Sequence, residues 1–313
     1  MNDKLLSLII PVYNEEAVLP LLFERLAALQ NELPRLQEII FVDDGSSDDS
    51  FALLLDAAGT GLGWRVLRFS RNFGQQVAIL AGMQHAGGDA VVLMDADLQD
   101  PPEVVPRMVQ MWDEGWDVIY GVRRKRQGET WIKRTSSKLF YRLLGRLSEI
   151  DIPVDTGDFR LMDRKVVKVI NQLGEQRPYV RGLVSWAGFR QTSVLFDRPP
   201  RPQGETSYTL RDMVRLSVDA VVGFSSAPLR VVTRLGVLVV VFSLVYAAVV
   251  LGLWLNDINV PGWTSMMLVI LFLGSVQLIS LGVIGEYLAN LSLESKGRPR
   301  FVIAFDSERN DNP

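Results

Sequence analysis

Three carboxylates fall within a few residues of one another in VVLMDADLQDPPE (Val91 to Glu103): Asp95, Asp97 and Asp100, directly after an apolar run. Carboxylates this close repel one another and raise their own pKa values unless a cation or a set of donors holds them. Asp95-Ala96-Asp97 would place two hard oxygen ligands on one side of an extended segment, with an alanine between them that adds no bulk. Such ligands suit Mg²⁺ or Mn²⁺, the kind of ion that bridges a diphosphate. The competing role is structural, because acids after strands often cap the next helix, and Asp100 ahead of Pro101-Pro102 is placed as such a cap.

Further polar sets recur at the ends of apolar runs: Pro11-Val12-Tyr13-Asn14-Glu15 after the first and Asp43-Asp44-Gly45-Ser46 after the second. The runs LLSLIIPV, EIIFVDD, WRVLRFS, DAVVLMDAD and WDVIYGV read as strands, and segments near 15–30, 48–58, 73–86 and 103–114 read as helices. Near-continuous Val/Ile/Leu strands alternating with helices predict an α/β fold whose mostly parallel sheet is covered on both faces. Ligands of such sheets bind at the carboxyl ends of the strands, where these polar sets fall. Neither G-x-G-x-x-G after the first strand nor a P-loop motif is present, so any phosphates must be held another way.

The chain of 313 residues carries 33 Lys+Arg against 36 Asp+Glu, no Cys and a single His, and its mean hydropathy is positive. Two uncharged apolar stretches, Leu235 to Leu255 and Val260 to Gly285, explain that average, and each is long enough to cross a hydrocarbon core of about 30 Å. Arg230 and Arg234 precede the first, while Lys296, Arg298 and Arg300 follow the second, which puts both ends on the cytoplasmic side. Trp254 and Trp263 fall near the opposite interface. The opening residues show no signal-peptide pattern. The expectation is a multi-pass protein of the inner (cytoplasmic) membrane, with a cytosolic catalytic domain over 1–228, transmembrane helices near 231–255 and 262–287, and a cytosolic tail over 291–313 whose end, SERNDNP, looks disordered.

After Val122 the stretch RRKRQGETWIKRTSSKLFYRLLGR carries nine basic residues and one acid. Arg134, Lys138, Arg142 and Arg146 repeat every four residues beside an apolar face, so an amphipathic helix at a membrane surface is expected over 131–147, and a second one over 207–222.

PVYNEE, VDDGSSDDS, SRNFGQQVAILAGM, DADLQDPPE and TGDFRLM together resemble glycosyltransferase family 2 of the GT-A fold, and within it the polyprenyl-phosphate glycosyltransferases, which include dolichol-phosphate mannose synthases and bactoprenol glucosyltransferases. The resemblance covers nearly the whole chain, including QLISLGVIGEYL. It implies inverting transfer of a hexose, glucose by the closest likeness, from a nucleotide diphosphate sugar to a polyprenyl phosphate. It further implies that Pro11, Tyr13, Glu15, Asp44 and Asp95 line the nucleotide pocket and that Asp97 and Gln99 hold Mg²⁺ or Mn²⁺. Arg123, Arg134 and Ser137 would grip the acceptor phosphate, although the spacing from Trp131 to Arg134 is one residue shorter than in the mannose synthases. Asp158 and Arg160 would act beside the donor sugar and diphosphate. Because a phosphate monoester is largely ionised near neutrality, Asp158 could position a substrate instead of acting as a base. The partners implied are the nucleotide sugar, the lipid, the membrane and further copies of the chain as a homo-oligomer, with no nucleic acid.

Rival readings are a processive polysaccharide synthase, which usually carries Q-x-x-R-W and more membrane spans, and a non-catalytic nucleotide-sugar binder or scaffold. A phosphotransferase using Asp95 would need Thr or Val where Gln99 stands. His85, alone and at a helix end, reads as a dipole partner, and Glu286 as an interfacial acid.

Overall fold

A computed structural model of the chain describes residues 4–59, 61–124, 156–176, 178–197, 227–255 and 262–309. The two amphipathic helices expected at 131–147 and 207–222, with Arg134 and Ser137, lie outside these residues. The described chain forms two compact units, one holding the residues up to 197 together with 298–309, the other holding 227–297.

The first unit is built on an eight-stranded sheet. Its strands are β1 (Leu6–Val12), β2 (Leu36–Asp43), β3 (Trp64–Phe69), β4 (Ala90–Leu93), β5 (Val118–Arg123), β6 (Thr156–Asp163), β7 (Gln191–Phe196) and β8 (Ile303–Asp306), and the order across the sheet is β7-β5-β6-β4-β1-β2-β3-β8. The pairs β4-β1, β1-β2, β2-β3 and β5-β7 are parallel, whereas β6 runs antiparallel between β4 and β5, and β8 antiparallel on the edge of β3. The mostly parallel α/β sheet expected from the sequence is present, extended by three strands that the apolar runs did not announce.

β1 is buried at every position, as a strand covered on both faces must be. Its one polar side chain, Ser7, is satisfied by Glu38 and by the backbone N–H of Gly88. Helix α3 (Gln75–His85) packs closely on this strand, and a Cβ at Gly82 would stand 2.3 Å from Ile9 Cγ2. His85 closes α3 by donating from Nδ1 to the Ala81 carbonyl at 2.8 Å. Helices α1 (Leu19–Glu32), α2 (Ser50–Ala58) and α4 (Val105–Asp113) follow β1, β2 and β4. In α4 the buried face is Val105, Met108, Val109 and Trp112, spaced at three and four residues as one helical stripe. After β6 come α5 (Arg164–Gln172) and the short α6 (Val180–Trp186).

From β1 the chain winds outward through β2 to β3, then crosses back to place β4 on the other side of β1. The loops leaving β1 and β4 therefore diverge, and the crevice between them is where such sheets bind ligands.

Residues 298–309, expected to be a tail, belong to this unit. Ser70 N–H donates to Val302 O at 3.0 Å, Ser307 N–H to Val66 O at 3.0 Å, and Phe305 is buried against Phe51. The apolar pattern of β8 is only four residues long and follows a long apolar helix, so its pairing shows only in three dimensions. Of SERNDNP, residues 307–309 form a turn and the rest lies outside the described residues.

The second unit is a pair of helices, α7 (Ala227–Leu255) and α8 (Trp263–Ser295). Two helices stand where two spans are expected, but α8 continues ten residues beyond Gly285. Among the described residues, Phe272–Ser295 is apolar and long enough to cross a membrane, and Val231–Tyr246 is a shorter apolar stretch.

Candidate active site

The ends of β1 and β2 are knitted together first. Asp44 N–H donates to Val12 O at 2.9 Å, Asn14 N–H to Ser46 Oγ at 3.0 Å, and Glu15 N–H to Ser50 Oγ at 2.9 Å. This holds Pro11, Tyr13 and Glu15 beside Asp44, with the Tyr13 ring exposed. Asn14 has φ of 54°, a left-handed value that Asn tolerates better than most residues.

Asp44 in turn clamps the loop after β3. Its two oxygens accept the backbone N–H groups of Phe73 at 2.6 Å and Gly74 at 2.9 Å. The loop approaches so closely that a Cβ on Gly45, which has φ of 71°, would stand 2.7 Å from the Arg71 carbonyl carbon. Burial pushes the Asp44 carboxyl up to about 6, although the two N–H donors favour its charged form.

The clamped loop delivers the first two residues of α3 to two different carboxylates. Gln75 donates to Asp95 Oδ1 at 2.7 Å and Gln76 to Asp158 Oδ2 at 3.0 Å. Asp95 and Asp97 do not continue β4 as an extended pair, contrary to expectation. The strand stops at Leu93, Ala96 and Asp97 lie in a turn, and Leu98 has φ of 59°. Asp100 is buried, and its Oδ2 accepts the backbone N–H of Asp95 at 3.3 Å, closing that turn. The following turn of 3-10 helix has Pro101 at its N-cap, so Asp100 is not the helix cap expected. Asp97 Oδ1 accepts the Gln99 N–H at 3.0 Å.

Burial and the charges of Asp100, Asp158 and Asp97 hold the Asp95 carboxyl well above the ordinary carboxylate range. That excess of negative charge fits a cation, as do the hard oxygen donors themselves. Among the described residues no three His, Cys, Asp or Glu side chains form a metal cage. One or two protein ligands, completed by water and substrate phosphates, are what Mg²⁺ commonly uses.

β6 brings the other half of the site, in register with β4 on one side and β5 on the other, where Leu93 and Tyr120 both pair with Arg160. Arg160, expected beside the donor sugar and diphosphate, turns its guanidinium onto the backbone of its own strand. It is 4% exposed, its Nη2 donates to the Gly157 carbonyl at 3.0 Å and its Nε to the Asp158 carbonyl at 3.3 Å. Burial, with Arg181 adding repulsion and Asp158 opposing both, pushes its pKa down to about 10. Arg123, at the end of β5, brings Nη2 to 3.4 Å from where a Gly157 Cβ would be.

Sequence reasoning missed Arg181. From α6 its Nε reaches Asp158 Oδ1 at 2.8 Å and its Nη2 reaches Oδ2 at 3.1 Å. Burial opposes ionisation of Asp158, but the Arg181 charge and hydrogen bonds outweigh it and hold the carboxyl below its ordinary range. Gln75 and Gln76 belong to SRNFGQQVAILAGM, whose resemblance to the family marks the segment but not these two contacts. No local pattern marks Arg181, which lies 23 residues after its partner.

The sheet order, and acids at the crevice between β1 and β4, are those of a GT-A fold, and the protein is a glycosyltransferase. The chain belongs to glycosyl transferase family 2, which it matches over residues 7–170, and residues 227–291 match the GtrB C-terminal hairpin. An uncharacterized glycosyltransferase of Synechocystis sp. is 48% identical over 96% of this chain and 94% of its own length. The bactoprenol glucosyl transferase of Shigella phage SfV is 36% identical over 97% of this chain and 99% of its own. Among solved structures, glucosyl-3-phosphoglycerate synthase from Mycobacterium tuberculosis, in complex with Mg²⁺ and uridine-diphosphate, has a TM-score of 0.49 at 18% identity, over 70% of this chain and 77% of that one.

Proposed function

We propose that this protein transfers glucose from a UDP-sugar to a polyprenyl phosphate at the cytoplasmic face of a membrane, with inversion at the sugar. The observation that carries the reading is the opposition of Asp95 and Asp97, after β4, to a second pole built by Asp158, Arg181 and Arg123. Relatives named bactoprenol glucosyl transferase, aligned over nearly the whole chain, support glucose and the lipid acceptor. The basic residues on both sides of the helical hairpin support the cytoplasmic placement.

In this reading the nucleoside lies along Pro11, Tyr13, Glu15 and Asp44, and Asp95 completes its pocket. An acceptor phosphate oxygen, oriented by Arg123 with Arg134 and Ser137, attacks the anomeric carbon. The bond from that carbon to the diphosphate breaks, and the nucleotide diphosphate leaves with the electron pair. A divalent cation held by Asp97 and Gln99 would neutralise charge on the leaving diphosphate. Because the acceptor oxygen is already ionised near neutrality, no side chain has to remove a proton. Asp158, fixed by three hydrogen bonds, orients the sugar, and Arg160 holds the backbone bend that presents it.

The test is transfer of radiolabelled glucose from UDP-glucose to undecaprenyl phosphate by membranes containing the full chain, with GDP-mannose as the competing donor. Label in a mild-acid-labile lipid is expected with UDP-glucose. Label from GDP-mannose alone would replace the sugar and base, and no lipid label from a panel of nucleotide sugars would overturn the reading.

A further inference from the structure

Resting on the function just proposed, we infer that Arg181 is a positioning residue for catalysis, one that acts by fixing Asp158 against the donor sugar. The geometry is that of a fork on a carboxylate. Arg181 Nε and Nη2 take one oxygen each of Asp158, at 2.8 and 3.1 Å, and the planar guanidinium thereby sets the plane of the carboxyl group as well as its place.

A second support is independent of the charge. Gln76 donates to Asp158 Oδ2 at 3.0 Å, and its own Oε1 accepts the N–H of Val180 at 2.9 Å. That N–H belongs to the first turn of α6, which has no side-chain cap from its own N-cap residue. One glutamine thus fastens the carboxylate and the helix that carries Arg181.

The two arginines divide the work. Arg160 is buried and grips the carbonyls of Gly157 and Asp158, so it sets the backbone. Arg181 keeps 27% of its side chain exposed while Asp158 keeps 6%, so Arg181 is the more accessible member of the pair. A carboxylate restrained at both oxygens serves as a fixed acceptor for a sugar hydroxyl, and misplacing such a group by about 1 Å costs on the order of 100-fold in rate.

The experiment is a double-mutant cycle on lipid transfer by the full chain: wild type, Arg181→Ala, Asp158→Ala and the double variant, with UDP affinity and thermal midpoint measured on each. Each single variant should lose about 100-fold in kcat with UDP affinity within about threefold of wild type, and the double variant should be no slower than the slower single. Arg181→Lys should regain only part of the rate, because an ammonium supplies the charge without the fork. Losses that multiply in the double variant, full activity in Arg181→Lys, or loss of UDP affinity with kcat unchanged would each overturn the role given to Arg181. A wild type that transfers nothing would instead overturn the proposed function on which it rests.

Discussion

Arg65→Ala isolates what the last strand does for the site. Arg65 grips Asp306 with Nε to Oδ1 at 3.1 Å and Nη2 to Oδ2 at 2.8 Å, and the two side chains are 12% and 1% exposed. Without Arg65 the buried carboxylate keeps the Glu308 N–H at 3.1 Å and the more distant, exposed Arg309 at 3.7 Å. Leaving one charge of a buried pair unanswered costs about 3–5 kcal/mol if the strand stays in place. A four-residue edge strand has a cheaper escape. It can leave the sheet, giving up about 1.5–3 kcal/mol of Phe305 burial and about 1 kcal/mol per backbone hydrogen bond while regaining chain entropy of about 1–2 kcal/mol per residue. The expected outcome is therefore local opening of β8, with a global loss smaller than about 3–5 kcal/mol.

The consequence reaches the proposed nucleotide pocket through aromatic rings. Phe301 stacks on Phe69 at 5.2 Å, Phe69 meets Phe73 edge-on at 5.5 Å, and the Phe73 N–H is one of the two donors on Asp44. Hydrogen exchange on the full chain should show the amides of Val66 and Ser70 losing protection in Arg65→Ala, since their partners are Ser307 Oγ and Val302 O. UDP affinity should fall as well. Asp306→Ala on top of Arg65→Ala should restore part of the stability, because no buried charge then remains. Unchanged protection at Val66 and Ser70, together with an unchanged thermal midpoint, would refute the reasoning.

Asp97→Asn should abolish metal-dependent UDP binding and lipid transfer while leaving the thermal midpoint in place, because Asn can still accept the Gln99 N–H at Oδ1; full activity in a chelator would sink the idea. Arg123→Ala should cost about 2–5 kcal/mol of acceptor or transition-state binding with UDP affinity unchanged, read by separate lipid and nucleotide titrations, and equal loss of both would move Arg123 to the donor side. For Asp44 the folded pKa of about 6 lies above the ordinary 3.8, so its stabilising share is fullest below about pH 4 and is lost as pH rises through about 6. That loss is about 3 kcal/mol. Chemical denaturation across this range should show a steeper decline in wild type than in Asp44→Asn, and parallel curves would count against the assignment. At any pH Asp44→Asn should loosen the 70–74 loop, because its amide offers one acceptor where Phe73 and Gly74 present two donors.

Five strands were legible because each is a short run of mostly apolar, mostly buried residues, and their polar terminations named Asp44, Asp95 and Asp97 directly. β6 carries the TGDFRLM motif but lacks the apolar run that marks those five strands. Thr156–Asp163 buries Asp158 and Arg160 alongside Phe159 and Leu161, so hydropathy does not separate inside from outside. Burial is possible because Arg181 from α6 neutralises the acid and carbonyls of β6 itself satisfy Arg160. The turn that breaks up Asp95-Ala96-Asp97 was hidden for a related reason. Leu98 adopts a left-handed φ that no leucine advertises, and the turn closes through the Asp100 carboxylate.

The helical hairpin enters the chain as an insertion within the catalytic unit, since β8 returns to the sheet after it. The sequence before the hairpin lacks one part of the sheet, since the strand that steadies the loop clamped by Asp44 comes from residues 303–306. A protein ended near Ala227 would leave Arg65 without Asp306 and the edge of β3 without a partner, exposing a row of backbone groups prone to pair with other chains. Separating membrane attachment from nucleotide binding thus requires deletion of the hairpin with residues 298–309 retained. Only in that form does loss of nucleotide binding speak about the hairpin itself and not about a missing strand.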